Sequence, residues 1–344
     1  MSNDVIRVGL VGYGLAGSVF HAPLIRACER MELVAVQTSR EAPDAVRSLE
    51  ELIDRSDLVV VASPNTTHFP IAKQALEAGR HVVIDKPIAI TVDEADELIR
   101  IAKERQRALS VFHNRRWDSD FLTVREVLPR LGDVMLFEAN WDRFRPAIKR
   151  GWREVAKPGG GLFNDLGPHL IDQALQLFGM PEAVGADIVV QRPGAVVDDY
   201  FDLTLHYGPR RVRLCCSTLA AAPRPRFAIH GTQGSYIKHG LDPQEAQLKA
   251  GFDPGDPSFG VDSRDGIFVG PTGEAESVPT SKGNYPAFYE AVADSILNGA
   301  PPPVPANEAR DGLALINLAR RAATLGSVLP VRDASSPEVS VPAE

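Results

Sequence analysis

The chain is 344 residues long, with 45 acidic against 37 basic side chains and a formal net charge of −8. That balance supplies no phosphate-neutralising basic face, which argues against nucleic acid as the main partner. Hydrophobic residues at 44% and charged residues at 24% exclude disordered, collagenous and coiled-coil chains, and the length suits two domains.

In chain order, the first third alternates apolar strands with amphipathic helices. Strands are predicted at 5–11, 33–38, 58–62, 81–84 and 109–112. Helices are predicted from the first glycine turn to about 27, at 68–78, and at 92–107 behind Thr91 as a cap. Near-continuous apolar runs such as Leu58-Val59-Val60-Val61-Ala62 suit parallel strands buried on both faces. Alternating βα units of this spacing argue for a doubly wound, Rossmann-type parallel sheet. Only about twenty residues separate the second strand from the third, short for a full crossover, so a helix there is missing or trimmed.

The pattern changes after about residue 131. Strands are predicted at 134–140, 186–191, 200–206, 211–217 and 225–230, several of them alternating, as in an antiparallel sheet with one open face. Helices are predicted at 165–178, 285–297 and 307–325, and the Gly-, Pro- and Asp-rich stretch 242–283 reads as a long surface excursion within the sheet. The expected fold class is thus α/β plus α+β. A nucleotide-binding domain spans 1–131, and a substrate-binding and oligomerisation domain with a large, mostly antiparallel open sheet spans 132–332. A flexible tail covers 333–344. The open sheet face implies a homodimer or higher homo-oligomer.

The three cysteines, Cys28, Cys215 and Cys216, form no C-x-x-C and read as buried small hydrophobes in a reducing compartment. No apolar run reaches about 18 residues and no signal-peptide pattern opens the chain, so a cytoplasmic protein without membrane contact is expected.

Gly12-Tyr13-Gly14-Leu15-Ala16-Gly17 is G-x-G-x-x-G directly after a strand and opening a helix. Its glycines permit a tight turn, close backbone approach to a pyrophosphate, and close helix–strand packing, while the helix N-terminus offers N–H groups to the phosphates. The second strand ends Gln37-Thr38-Ser39-Arg40, a hydroxyl and a guanidinium suited to an adenosine 2′-phosphate. NADP is therefore expected over NAD, with Glu41, one position on, as the competing signal. Ser63-Pro64-Asn65-Thr66-Thr67-His68 and Asp85-Lys86-Pro87 follow strand ends, where open α/β sheets bind ligands. Gly159-Gly160-Gly161 leads into a helix carrying Asp165 and His169, four residues apart and hence on one face. In isolation that pair would be a cap and a core histidine. The triple glycine lets backbone approach something closely, and histidine titrates where an alcohol proton must be exchanged as hydride leaves carbon. The histidines give no coherent metal constellation, so no metal is expected.

On these residues the chain resembles the glucose–fructose oxidoreductase / inositol dehydrogenase (Gfo/Idh/MocA) family over about 5–330. The resemblance rests on the glycine motif with His21-Ala22-Pro23, on ASPNTTH at 62–68, on DKP at 85–87, and on GGGLFNDLGPHLID at 159–172. Asp85 stands where the family usually has Glu, and the trimmed segment after Arg40 departs from the usual length at the adenine pocket. The resemblance implies an NAD(P)-dependent dehydrogenase acting on CH–OH groups. Hydride would pass between nicotinamide and a secondary alcohol or ketone carbon of a cyclic polyol or sugar. Lys86, Asp165 and His169 would form its catalytic set: His169 exchanging the hydroxyl proton, Asp165 orienting and tuning it, Lys86 binding nicotinamide ribose and substrate hydroxyl. Ser39-Arg40, Asn114-Arg115-Arg116-Trp117, Asp120 and Arg150-Gly151-Trp152-Arg153 look most like an NADP-dependent subgroup that includes scyllo-inositol dehydrogenases. The expected cofactor contacts are Gly12, Gly14, Leu15, Ser39, Arg40, Ser63, Pro64, Asn65, His68, Lys86, Asn114, Arg115 and Trp152. Competing readings are an NAD(P)-binding regulator without catalysis and a dihydrodiol-type dehydrogenase with an apolar substrate.

Overall fold

The computed structural model describes residues 5–148, 151, 154–156 and 159–332. It begins with β1 (Ile6–Val11), a π-helical stretch (Ala16–His21) running into α1 (Ala22–Ala27), β2 (Met31–Gln37), β3 (Ala45–Val46) and α2 (Leu49–Arg55). There follow β4 (Leu58–Val61), α3 (His68–Glu77), β5 (His81–Asp85), α4 (Val92–Arg105), β6 (Leu109–Phe112) and α5 (Ser119–Val127). The six strands form one parallel sheet in the order β3-β2-β1-β4-β5-β6. All four residues of β4 are buried, as a central parallel strand requires. The short crossover is real: it holds the two-residue edge strand β3 and the seven-residue α2, whose cap Ser48 accepts the Glu51 N–H.

The chain continues through β7 (Val134–Asn140), α6 (Leu162–Phe178), β8 (Ala183–Val189), β9 (Tyr200–Tyr207), β10 (Arg210–Ser217), β11 (Phe227–Gly231) and β12 (Gly234–Lys238). Then come α7 (Gln244–Lys249), β13 (Gly266–Val269), β14 (Ala275–Val278), α8 (Pro286–Asn298), α9 (Ala306–Leu325) and β15 (Leu329–Pro330). A nine-stranded, mostly antiparallel sheet runs β14-β13-β12-β11-β7-β10-β9-β8-β15, with β7 and β10 parallel. The fold class read from the sequence is the one observed.

The described chain divides into two compact units. One comprises the residues up to Gly132 together with Gln233–Asp311; the other comprises Asp133–Thr232 and the residues from Gly312 on. In the second unit, alternation puts Phe201, Leu203 and Leu205 of β9 and Val212, Leu214 and Cys216 of β10 into the core. Each side chain of that size stabilises the fold by about 1.5–3 kcal/mol. The stretch 242–283 is largely exposed, as a surface excursion within the sheet should be, and carries more regular structure than a plain loop. It contains α7, β13 and β14 and belongs to the unit that holds the parallel sheet. Its order comes from polar closure: fully buried Lys238 donates to Asp262 at 3.0 Å and to the carbonyl of Arg264, and Gly283 N–H donates to Gly260 O at 2.8 Å. Hydrophobic periodicity carries no trace of such contacts. Cys28, Cys215 and Cys216 are all buried and free. Among the described residues, no helix is long and apolar enough to cross a membrane.

Candidate active site

β1 delivers the chain to Gly12, whose φ of +96° lies in the left-handed region. A Cβ there would sit 2.5 Å from Ala62 O and 2.8 Å from Ser63 N, and one on Gly17 would sit 2.0 Å from Gly12 O. Those two glycines are demanded by the protein's own packing. Gly14 differs: a Cβ there would meet nothing within 4 Å, so the space above it is open. The π-helical stretch behind it has no side-chain cap, and Leu15 is exposed. An open cradle beside uncapped N–H groups fits the pyrophosphate of a dinucleotide.

The adenosine end is set by β2. Gly12 N–H donates to Gln37 O at 2.9 Å, which seats the end of β2 against the glycine turn. Thr38 Oγ1 accepts the Arg40 N–H at 3.1 Å, shaping a turn that leaves Ser39 and Arg40 exposed. Glu41 is exposed as well.

The ends of β4 and β5 are joined by His68. Its ring is buried, Nδ1 facing Pro87 O at 2.7 Å and Nε2 facing Ser63 O at 3.0 Å. The ring thus lies between the two loops, one nitrogen against Pro87 and the other against Ser63. Ser63 Oγ and Thr67 Oγ1 lie 2.6 Å apart, and Thr67 Oγ1 donates to Pro64 O at 2.7 Å, which fixes the Pro64-Asn65 turn. Asp85 Oδ1 accepts the Lys86 N–H at 2.9 Å, and the Lys86–Pro87 peptide is cis. Lys86 itself is half-buried.

Beyond β6, Asn114 is buried. Arg115 is buried too, and its guanidinium enters a network of the same unit. It donates to Tyr285 Oη at 2.8 Å, pairs with Glu245, and lies 3.5 Å from Asp118, to which Tyr285 Oη donates at 2.7 Å. Burial alone would lift the Glu245 carboxyl, but Arg115 and Lys249 overcome it and hold the group at about 2. Burial pushes the Asp118 carboxyl well above its ordinary range despite Arg115. Arg116 pairs with Glu308 at 2.7 Å. Trp152, like Arg150 and Arg153, lies outside the described residues.

In the second unit, α6 carries Asp165, half-buried, and His169, buried with its ring tilted against Trp141 at 6.5 Å between centroids. Gly161, at φ +95°, allows the close approach its sequence promised, and the approaching group is in the chain itself: a Cβ there would lie 2.4 Å from Asp198 Oδ1.

The first unit thus brings together Gly12, Gly14, Leu15, Ser63, Pro64, Asn65, His68 and Lys86 at successive strand ends. Ser39 and Arg40 lie across Gly12, and Asn114 and Arg115 lie one strand further along; the second unit places Asp165 and His169 on one helix. Sequence reading missed Trp141, Asp198, Glu245 and Tyr285, none of which stands in a recognisable motif. Among the described residues, no three His, Cys, Asp or Glu side chains are grouped to hold a metal ion.

Residues 6–113 match the NAD-binding Rossmann-fold model of the Gfo/Idh/MocA oxidoreductase family, and residues 127–331 match that family's C-terminal alpha/beta domain. An uncharacterized oxidoreductase of Escherichia coli, YdgJ, is 46% identical over 331 residues, covering 92% of this chain and 96% of the relative. The scyllo-inositol 2-dehydrogenase (NADP(+)) IolW of Bacillus subtilis is 39% identical over 333 residues, covering 92% and 93%. The crystal structure of an oxidoreductase from Bacillus cereus superposes with a TM-score of 0.87 at 33% identity, over 94% of this chain and 98% of that one.

Proposed function

The chain belongs to the Gfo/Idh/MocA family of oxidoreductases, with an NAD(P)-binding Rossmann domain, and on that footing we propose an NADP-dependent dehydrogenase for a secondary hydroxyl of a cyclic polyol or sugar. The observation that carries the reading is the open space at Gly14 on the same row of strand ends as Lys86. NADP is favoured because Ser39 and Arg40 are exposed at the end of β2, where a 2′-phosphate would lie, and because the 39% identical relative is named for NADP(+). That relative's name is also the support for a cyclic polyol.

In this proposal the N–H groups after Gly14 bind the pyrophosphate, while Ser39 and Arg40 take the 2′-phosphate. Ser63, Pro64 and Asn65 line the path between them, His68 holding their loop. Asn114 and Arg115 would close the nicotinamide end, and Trp152 is kept only as a cofactor contact implied by the resemblance. The nicotinamide, when bound, supplies hydride transfer to and from carbon. Lys86 donates to the substrate hydroxyl and to the ribose. His169 accepts the hydroxyl proton in oxidation and returns it in reduction, and Asp165, one turn earlier on α6, orients the imidazole. Residues 1–131 would hold the cofactor, 132–332 would contribute the proton relay and the substrate pocket, and the open face of the large sheet would be covered in a homodimer or larger assembly.

The test is a rate screen with NADP and NAD over inositols and aldoses. Turnover with at least one inositol or aldose, faster with NADP, is expected. Activity confined to apolar diols, or to NAD, would overturn the substrate or the cofactor assignment respectively.

A further inference from the structure

Helix α6 begins at Leu162 with Gly161 before it and no side-chain cap, so its first N–H groups have no partner from their own segment. Their partners come from a loop 35 residues on, between β8 and β9: Asp198 O accepts the Leu162 N–H at 2.8 Å, and Asp198 Oδ2 accepts the Phe163 N–H at 2.6 Å. The carboxylate also occupies the space where Gly161 would carry a side chain. Arg320 of α9 flanks the same turn. It donates to Asn164 Oδ1 at 2.8 Å, lies 3.7 Å from Asp198 Oδ1, and stacks over Phe163, while Asn164 Nδ2 donates to Gly160 O at 2.7 Å.

The loop that presents Asp198 is itself fastened. The neighbouring Asp199 takes the N–H groups of Gln191 and Arg192 at 2.7 and 3.0 Å, and the Arg192 guanidinium at 2.8 Å. Two adjacent aspartates therefore divide the work, one closing its own loop and the other reaching the helix. All of these contacts lie within the second unit.

Asp165 and His169 sit on the first two turns of α6, directly behind Phe163, whose ring packs on Phe201 at 5.2 Å between centroids and whose N–H is held by Asp198. We propose that Asp198 is a positioning residue of the reaction: it seats the first turn of α6 and so fixes where Asp165 and His169 are held. The inference rests on the proton-exchange role given to His169. A negative charge at a helix N-terminus also interacts favourably with the helix dipole, and Arg320 offsets part of the cost of its burial. A displacement of about 1 Å at a reacting group is enough to lower a rate by about 10²-fold, so an anchor remote from the chemistry can govern turnover.

The experiment compares Asp198→Ala and Asp198→Asn in the full chain, measuring kcat, KM, the pH profile of kcat/KM and cofactor affinity, with hydrogen exchange at the Leu162 and Phe163 amides. For Asp198→Ala we expect kcat to fall about tenfold or more with KM changed by less than about threefold, a displaced pH limb, and unchanged cofactor affinity. Asp198→Asn keeps an oxygen for the Phe163 N–H and should recover most of kcat. Arg320→Met, which removes only the flanking hold, should lower kcat about two- to fivefold with KM kept. A parent-like kcat and pH profile in Asp198→Ala, with only a lower unfolding midpoint, would reduce Asp198 to a structural cap and overturn the proposal. So would an Asn variant as slow as the Ala variant. If Asp198→Ala does not fold, the Asn and Met variants decide by the same criteria. Hydrogen exchange separates this from failure of the catalytic reading. Lost protection at Leu162 and Phe163 in the Ala variant, with His169→Ala as active as the parent, would leave the anchor and overturn the role of His169. Unchanged protection would overturn the anchor.

Discussion

Two glycine-rich segments lead into helices, residues 12–17 into the stretch beginning at Ala16 and residues 159–161 into α6, and neither helix has a side-chain cap. At the first, a Cβ on Gly14 would meet empty space; at the second, a Cβ on Gly161 would run into Asp198. Two glycine-rich leads therefore produce one helix start with open space beside it and one already closed by a carboxyl group of the chain. Glycine in a sequence announces that something comes close to the backbone. Whether that something is a ligand or the protein is settled by residues far away, here Asp198.

The comparison breaks or sharpens through four measurements. The largest effect belongs to the chemistry carried by the closed start: His169→Ala should lower kcat by about 10²–10⁴-fold while leaving cofactor affinity intact. A parallel loss of cofactor affinity would erase the division of labour between the two starts. Next is the open start's specificity. Arg40→Ala should raise the KM for NADP about 10- to 100-fold, the worth of a charge-assisted hydrogen bond, and leave the KM for NAD nearly unchanged. Equal changes for both cofactors would remove Arg40 from the 2′-phosphate site.

The glycines themselves come third. Gly14→Ala adds a methyl group to open space, so the unfolding midpoint should hold while cofactor affinity drops about tenfold, or 1.4 kcal/mol. Gly161→Ala imposes a left-handed φ and a clash with Asp198, and should cost about 1–3 kcal/mol of stability with cofactor affinity kept. Interchanged outcomes would mean that the open and closed starts had been assigned the wrong way round.

The smallest effect is a pH slope. Burial raises the Asp198 carboxyl above its ordinary value, so just above the unfolded value the folded chain holds a proton that the unfolded chain has lost. In that window this group's contribution to stability rises as pH falls. Urea midpoints at pH 7 and about pH 5 should show that contribution as a difference between the parent and Asp198→Asn. Identical slopes would contradict it.

Much of the first unit was legible because parallel strands buried on both faces leave unbroken apolar runs. β4 and β6 stand almost where residues 58–62 and 109–112 put them. α2 was legible only as a shortage of residues, since seven residues show barely two helical turns. The strands of the second unit were legible by alternation, and α6 was legible at 165–178, short of its actual start at Leu162. What could not be read was polar and distant: the Lys238–Asp262 closure of the 242–283 stretch, the Arg115–Glu245–Tyr285 network, the two carbonyls facing His68, and the reach of Asp198. Each such contact joins residues whose local sequence is unremarkable, and a motif such as ASPNTTH gives the position of His68 without its partners.

His21, in the segment after the glycine motif, lies 2.6 Å through Nδ1 from Tyr289 Oη, and its neighbour Phe112 packs edge-on against Phe288 at 4.9 Å. Burial holds the His21 imidazole down to about 4, so it remains neutral well below pH 7. Tyr289 and Phe288 belong to the segment Gln233–Asp311, which completes the unit that holds the parallel sheet. The unit that holds the parallel sheet is thus completed only by the later segment that carries α8. His21 and Phe112 pack against α8, and a fragment ending at residue 132 would present their apolar face to solvent and to other chains.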